Sequence, residues 1–219
     1  MSAYWPEFLK LALAHLLAVV SPGPDFAIVL RQSLVHGHRT AVWTAFGIGS
    51  AICLHVGYSL FGLGLVLKSS PAAFTAVKCA GAAYLAWLGV RSLRAQPRPA
   101  PAPGAEPGRR AGGDGPAANA SWSMGFFTNA LNPKATLFFV AIFATLVSPR
   151  TPLPIRLGYG AWVCLVTTAW FCAVAYLFTR ERTRRAFLRH GHWIDRAMGA
   201  LFLVYAAGLA FSALPGRPG

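Results

Sequence analysis

The sequence predicts an all-α membrane protein: six transmembrane helices arranged as two inverted three-helix repeats, the first helix of each repeat broken at proline. Three observations carry this. Of 219 residues, 55% are apolar and 12% charged, about half the charged share of an ordinary soluble chain, and a soluble domain of this size cannot hide that much apolar surface. Six apolar runs reach the ~20 residues that cross a ~30 Å hydrocarbon core. Proline interrupts the first run on each side of a central Pro-, Gly- and Ala-rich stretch.

The first run, Trp5 to Leu34, contains Ser21-Pro22-Gly23-Pro24-Asp25. Proline removes a backbone donor and clashes with the carbonyl four residues back, so two prolines around a glycine unwind the helix there. Glu7 and aromatics flank this run instead of a basic cluster, and SPGP stands where a signal peptide would have a small-residue cleavage site, so it reads as a span. Gln32 and Ser33 close it, facing cytoplasmic water. Runs two and three are Ala41 to Leu67 and Ala72 to Leu93. In residues 95–120 Pro, Gly and Ala supply 19 of 26 positions, which reads as a flexible linker with nothing apolar to fold on. Runs four to six are Met124 to Val147, Leu157 to Thr179 and Ala197 to Leu214, and the fourth holds Asn132-Pro133-Lys134. Residues 1–94 and 121–219 are then the two repeats of one integral membrane domain. In support, Lys78, Gly81, Tyr84, Leu85 and Trp87 match Arg196, Gly199, Phe202, Leu203 and Tyr205 at a constant offset of 118.

The net charge of +14 would suggest nucleic acid in a soluble chain, but no zinc-finger spacing, basic helix or aromatic-basic RNA motif accompanies it. The expected partner is the lipid bilayer. Loops one-two, three-four and five-six hold 13 of the 20 basic residues. By the positive-inside rule the linker and the 180–196 loop are cytoplasmic and both termini lie outside. Cys53, Cys79, Cys164 and Cys172 sit in apolar runs without a C-x-x-C, which suits small buried hydrophobes. Ala45, Gly49, Cys53 and Gly57 recur every fourth residue as a stripe for close helix packing.

The two interruptions form the candidate site. Unwound backbone is tolerated at membrane depth where it is buried in protein or lines a wet cavity, so Pro22, Gly23 and Pro24 face the bundle interior. Asn132 is a good N-cap and Pro133 a natural first helical residue, so a half-helix starts there with its positive end toward the same cavity. Asp25 is the single acid well inside a span, and Lys134 is the most deeply placed base. A charge at that depth costs at least ~2.5 to 3.5 kcal/mol, and an α-amino acid would compensate both: carboxylate on Lys134, ammonium on Asp25. Two alternatives stay open, a structural Asp25 to Lys134 ion pair and Asp25 as a simple N-cap. His55 is either a proton relay or a hydrogen-bonded interior histidine, and His15 is read in the same way.

The runs SPGPDFAIVLRQSL, FGIGSAICLH and KCAGAAYLAWLGVRSLR resemble the lysine exporter (LysE/RhtB) family of amino-acid efflux proteins. So does Trp122-Ser-Met-Gly125-Phe126-Phe127-Thr128-Asn129-Ala-Leu-Asn132-Pro133-Lys134-Ala135. The resemblance covers residues 5 to 214 apart from the linker. It implies a bacterial cytoplasmic-membrane exporter of amino acids or close derivatives, driven by the proton gradient and needing no cofactor. Its motif positions carried onto this chain are Pro22, Gly23, Pro24, Asp25, Asn129, Asn132, Pro133 and Lys134. Position 25 is often Asn in the family, so the acid here bears on substrate or coupling. The mechanism expected is antiport, with Asp25 taking up a proton as substrate leaves. Six spans are few for a carrier, and a homodimer is a further expectation. One rival reading lies within transport and one in another class. A metal-cation exporter would use Cys53, Cys79 and His55, although one intramembrane acid is few for a divalent ion. A membrane-embedded enzyme would need a nucleophile and base or a metal cluster, and no H-E-x-x-H, G-x-S-x-G or carboxylate pair is present.

Overall fold

Proline decides where the first helix stops. In the computed structural model, which describes residues 4–69, 71–96, 116–148, 150–178 and 180–212, α1 (Trp5–Val20) ends at Ser21 and α2 (Pro24–His36) begins on the second proline of the pair. The two helices meet at 50°. α2 ends at Gly37, whose φ of +86° favours glycine. α3 (His38–Ser69) and α4 (Pro71–Leu93) follow. The second break lies between α5 (Ala118–Ala130) and α6 (Pro133–Leu146), which are bent by 57°. As the sequence predicts, Asn132 caps α6: its side-chain oxygen accepts from the Lys134 N–H at 3.0 Å, and Pro133 takes the first helical position. α7 (Leu153–Leu177) and α8 (Glu181–Ser212) complete the described chain.

Among the described residues, His38–Phe61 of α3 and all of α7 are long and apolar enough to cross a bilayer, and the two bent pairs bring the number to four if each is one span. α4 and α8 are helices at the places of the third and sixth expected spans. Two boundaries are corrected. The basic stretch 180–196, expected as a loop, is helical from Glu181, and the expected linker is helical from Ala118. Arginine and alanine are strong helix formers, so hydropathy marks where a segment leaves hydrocarbon, not where its helix ends. The bulk of the linker, 97–115, lies outside the described residues.

Small residues set the closest approaches. A Cβ on Gly47 of α3 would stand 2.0 Å from the Trp122 carbonyl oxygen of α5, and one on Gly125 would stand 2.0 Å from the Thr44 carbonyl oxygen, so these backbones touch. α4 and α8 meet in the same manner, with a Cβ on Gly199 falling 2.7 Å from both the Gly89 oxygen and the Leu93 nitrogen. The α3 stripe packs on α7. Gly49 opposes Thr168, the Cys53 and Cys164 sulfurs lie 2.9 Å apart, and Val56 opposes Gly160, while Gly57 has open space.

Several side chains sit elsewhere than expected. Cys53 and Cys79 are exposed and Cys164 and Cys172 half-buried, because a bundle facing lipid gains little by turning a small apolar group inward. Gln32 and Ser33 are buried at 1% and 3% exposure, with Ser33 Oγ donating to the Ala175 carbonyl at 2.6 Å and Gln32 Nε2 contacting the Met124 sulfur. They join helices instead of meeting water.

The apolar core is divided. One cluster gathers Leu11, Ile52, Leu85, Phe139, Val163 and Phe202, and the other gathers Phe26, Val29, Ala45, Phe171 and Phe178. α3 and α7 run through both clusters, and the proline breaks lie between them. Polar groups at the breaks thus have apolar packing on either side and a gap where neither core closes.

Candidate functional site

That gap is a cavity whose empty space, about 530 Å³, includes the solvent at its open side. Both breaks contribute to its wall: Ser21, Gly23, Pro24 and Asp25 from one, Asn129, Asn132, Lys134 and Ala135 from the other. The residues singled out around the two prolines, 104 or more positions apart in sequence, are therefore brought together. Pro22 is buried but not in the cavity wall, and of Pro133 the structure describes the backbone.

Asp25 does not cap α2. Gly23 is the N-cap, and Asp25 falls in the first turn with its carboxylate directed across to the second break. Oδ2 accepts from Asn129 Nδ2 at 3.0 Å and from Asn132 Nδ2 at 3.3 Å. Asn132 thus works twice, its oxygen capping the start of α6 and its nitrogen holding the acid. Asp25 Oδ1 is buried and makes no hydrogen bond among the described residues, and neither does Asn129 Oδ1. Buried acceptors are seldom left unpaired, and the cost of each is about 1–3 kcal/mol or more for a charged group. Both residues belong to the cavity wall, joined through their other side-chain atoms.

Lys134 donates from Nζ to Ser21 Oγ at 3.2 Å, and Ser21 Oγ donates in turn to Asp195 Oδ1 at 2.6 Å. Asp195 lies on α8 at 8% exposure. This corrects the expectation of one buried acid, since Asp195 was assigned to a loop. A signal was present in the sequence: Gly191, Asp195, Met198, Phe202 and Ala206 recur at three- and four-residue spacing, placing the acid on the inward face of a helix. Ser21 was likewise seen only as part of the break.

His55 is completely buried, and it stands behind the cavity wall. Its Nε2 pairs with the Asn129 carbonyl oxygen at 3.1 Å and its Nδ1 with the Tyr58 hydroxyl. Because a carbonyl only accepts, Nε2 carries the proton and Tyr58 donates to Nδ1. His55 thereby fixes the turn of helix that presents Asn129 to Asp25. His15 is in the wall itself, 2% exposed, with Nε2 2.9 Å from Thr167 Oγ1. Cys53 faces Cys164 and not His55, and among the described residues no three His, Cys, Asp or Glu side chains gather around a point where a metal could sit.

The LysE type translocator family model matches residues 16–213. The threonine efflux protein of Escherichia coli (strain K12) is 32% identical over 209 residues, covering 94% of this chain and 98% of that one. The threonine efflux protein of Salmonella typhi is 32% identical over 205 residues, with the same coverage. The homoserine/homoserine lactone efflux protein of Salmonella typhimurium is 28% identical over 208 residues, 94% of this chain and 96% of that one. No solved structure matches.

Proposed function

Because this chain belongs to the LysE type translocator family, we propose that it exports small amino acids or close derivatives across the bacterial cytoplasmic membrane, binding them between the two proline breaks. As a multi-pass membrane transporter it is not an enzyme. The observation that carries the reading is the pair of unsatisfied acceptors, Asp25 Oδ1 and Asn129 Oδ1, on the wall of a cavity that also holds Lys134. An ammonium brings three donors and no acceptor, so the amino end of a zwitterion satisfies both oxygens. Its carboxylate then meets Lys134 at the start of α6, where the helix dipole favours an anion. The efflux of threonine and of homoserine by the relatives supports this chemistry.

Transport follows from competition at one carboxylate. Asp25 holds either the substrate ammonium or a proton, since a protonated carboxyl presents an O–H where the ammonium would dock. A proton entering from outside releases substrate, and loss of that proton to the cytoplasm restores the site: one-for-one antiport. The helices around the site act as six spans in two inverted repeats, α1–α4 and α5–α8, with the termini outside and the linker cytoplasmic. Broken helices in corresponding positions are the binding elements of such carriers, and rocking of one repeat against the other exposes the site alternately.

The test is growth inhibition by a panel of amino acids and analogues in cells with and without the gene. Protection restricted to small zwitterions, and lost with Asp25→Ala, is the expected result. Protection against metal salts in place of amino acids would overturn the reading.

A further inference from the structure

The cavity has a second polar end that binding of the zwitterion leaves unused. His15 on α1 and Thr167 on α7 both belong to its wall and are both 2% exposed. Thr167 Oγ1 occupies one nitrogen of the ring, while His15 Nδ1 is buried and makes no hydrogen bond among the described residues. The ring's orientation is fixed by Trp162, edge-on at 5.4 Å between centroids, and by Phe139 at 6.3 Å. Much of the remaining wall is apolar, with Ala18, Ile52, Phe138 and Phe139 among its residues.

Spacing relates the two ends. Ser21 is six residues beyond His15 on one helix, about 9 Å along the axis at 1.5 Å per residue. That is close to the length of a hydrogen bond of about 2.9 Å, an α-carbon bearing a side chain of two or three heavy atoms, and a second hydrogen bond.

We propose that His15, held in place by Thr167, reads the substrate's side chain and selects a short hydroxyl-bearing one over its isosteric apolar counterpart. The proposal rests on the amino-acid export reading above and adds a specificity-determining residue to that site. In either tautomer the ring nitrogen not bonded to Thr167 offers one donor or one acceptor, and a hydroxyl satisfies both cases. A methyl group satisfies neither and leaves a buried nitrogen unpaired, the circumstance in which binding sites discriminate most sharply. A charged side chain would be set among apolar groups without a counter-charge, and is rejected on that ground.

Threonine and valine differ by hydroxyl against methyl at nearly constant shape. Their transport is measured in parallel in proteoliposomes carrying wild type, His15→Leu, His15→Gln or Thr167→Val. Wild type is expected to favour threonine in kcat/KM by at least about tenfold, as for a site built to bind a hydroxyl. His15→Leu should reduce that ratio to about threefold or less while valine transport persists, because the pair then differs only in a group the pocket no longer reads. His15→Gln, which keeps a donor and an acceptor, should retain most of the preference, and Thr167→Val should fall between. If His15→Leu does not fold, Thr167→Val and His15→Gln read the same ratio. An unchanged ratio in His15→Leu, or in Thr167→Val where His15→Leu does not fold, or a wild type without preference, overturns the assignment of His15. A wild type that moves neither compound overturns the export reading and this proposal with it.

Discussion

Asp25 is held by one oxygen and left bare at the other, and the function proposed here depends on that asymmetry. Asp25→Asn keeps the shape but replaces an acceptor-only group with one that donates. The substrate ammonium then loses its charge partner, and the expected outcome is loss of transport by tenfold or more, or about 1.4 kcal/mol and upward, together with loss of any pH gradient dependence in vesicles. Lys134→Ala should weaken binding of carboxylate-bearing substrates by a similar factor while sparing a carboxyl-blocked analogue, measured by competition for transport. Asp195 makes a different prediction. Its hydrogen bond from Ser21 is charge-assisted, a class worth about 1.5–3 kcal/mol, so Asp195→Ala should lower thermal stability in detergent as well as transport. Sequence reasoning found Asp25, Asn132 and Lys134 because each stands beside a proline that explains it. It missed Asp195 because the flanking arginines made the segment look like a loop, although the inward spacing of the acid was readable.

At the scale of elements, the breaks were legible and the contacts between helices were not. The constraints proline imposes are local, so the ends of α1 and α5 and the cap of α6 could be placed from residues alone. Which glycine meets which backbone is a matter of helix pairing, and periodicity does not specify the partner. Gly47 and Gly125 lie at the crossing of α3 and α5 with no room for a methyl group. Gly125→Ala should therefore force the two backbones apart, with a cost of about 1–3 kcal/mol or more as for other overpacked interiors, visible as a lowered melting temperature in detergent. Gly57→Ala, on the same helix but in open space, should leave the melting temperature within about a degree or raise it slightly, since alanine is the better helix former. The stripe of small residues packs on α7 at Gly49 and Cys53, and at the next turn the contact passes from Gly57 to its neighbour Val56, which opposes Gly160.

For the whole molecule, composition alone established lipid as the solvent, since neither the apolar share nor the +14 charge fits a soluble chain with these motifs. The sorting of basic residues predicts orientation, and reporter fusions test it. Fusions at the C-terminus and within 97–115 should report opposite sides of the membrane, with the 97–115 site cytoplasmic. The division of the core into two clusters was not legible, because it arises from the meeting of two helix bends far apart in sequence. That division leaves a largely apolar chamber between two apolar packs, with polar side chains at the proline breaks and at His15 and Thr167. The most direct test is uptake of labelled threonine into inside-out vesicles under an imposed pH gradient, acid inside. Wild-type vesicles should accumulate the amino acid above the external concentration and Asp25→Asn vesicles should not. Equal accumulation in both, or none by the wild type, would contradict an export site built on Asp25.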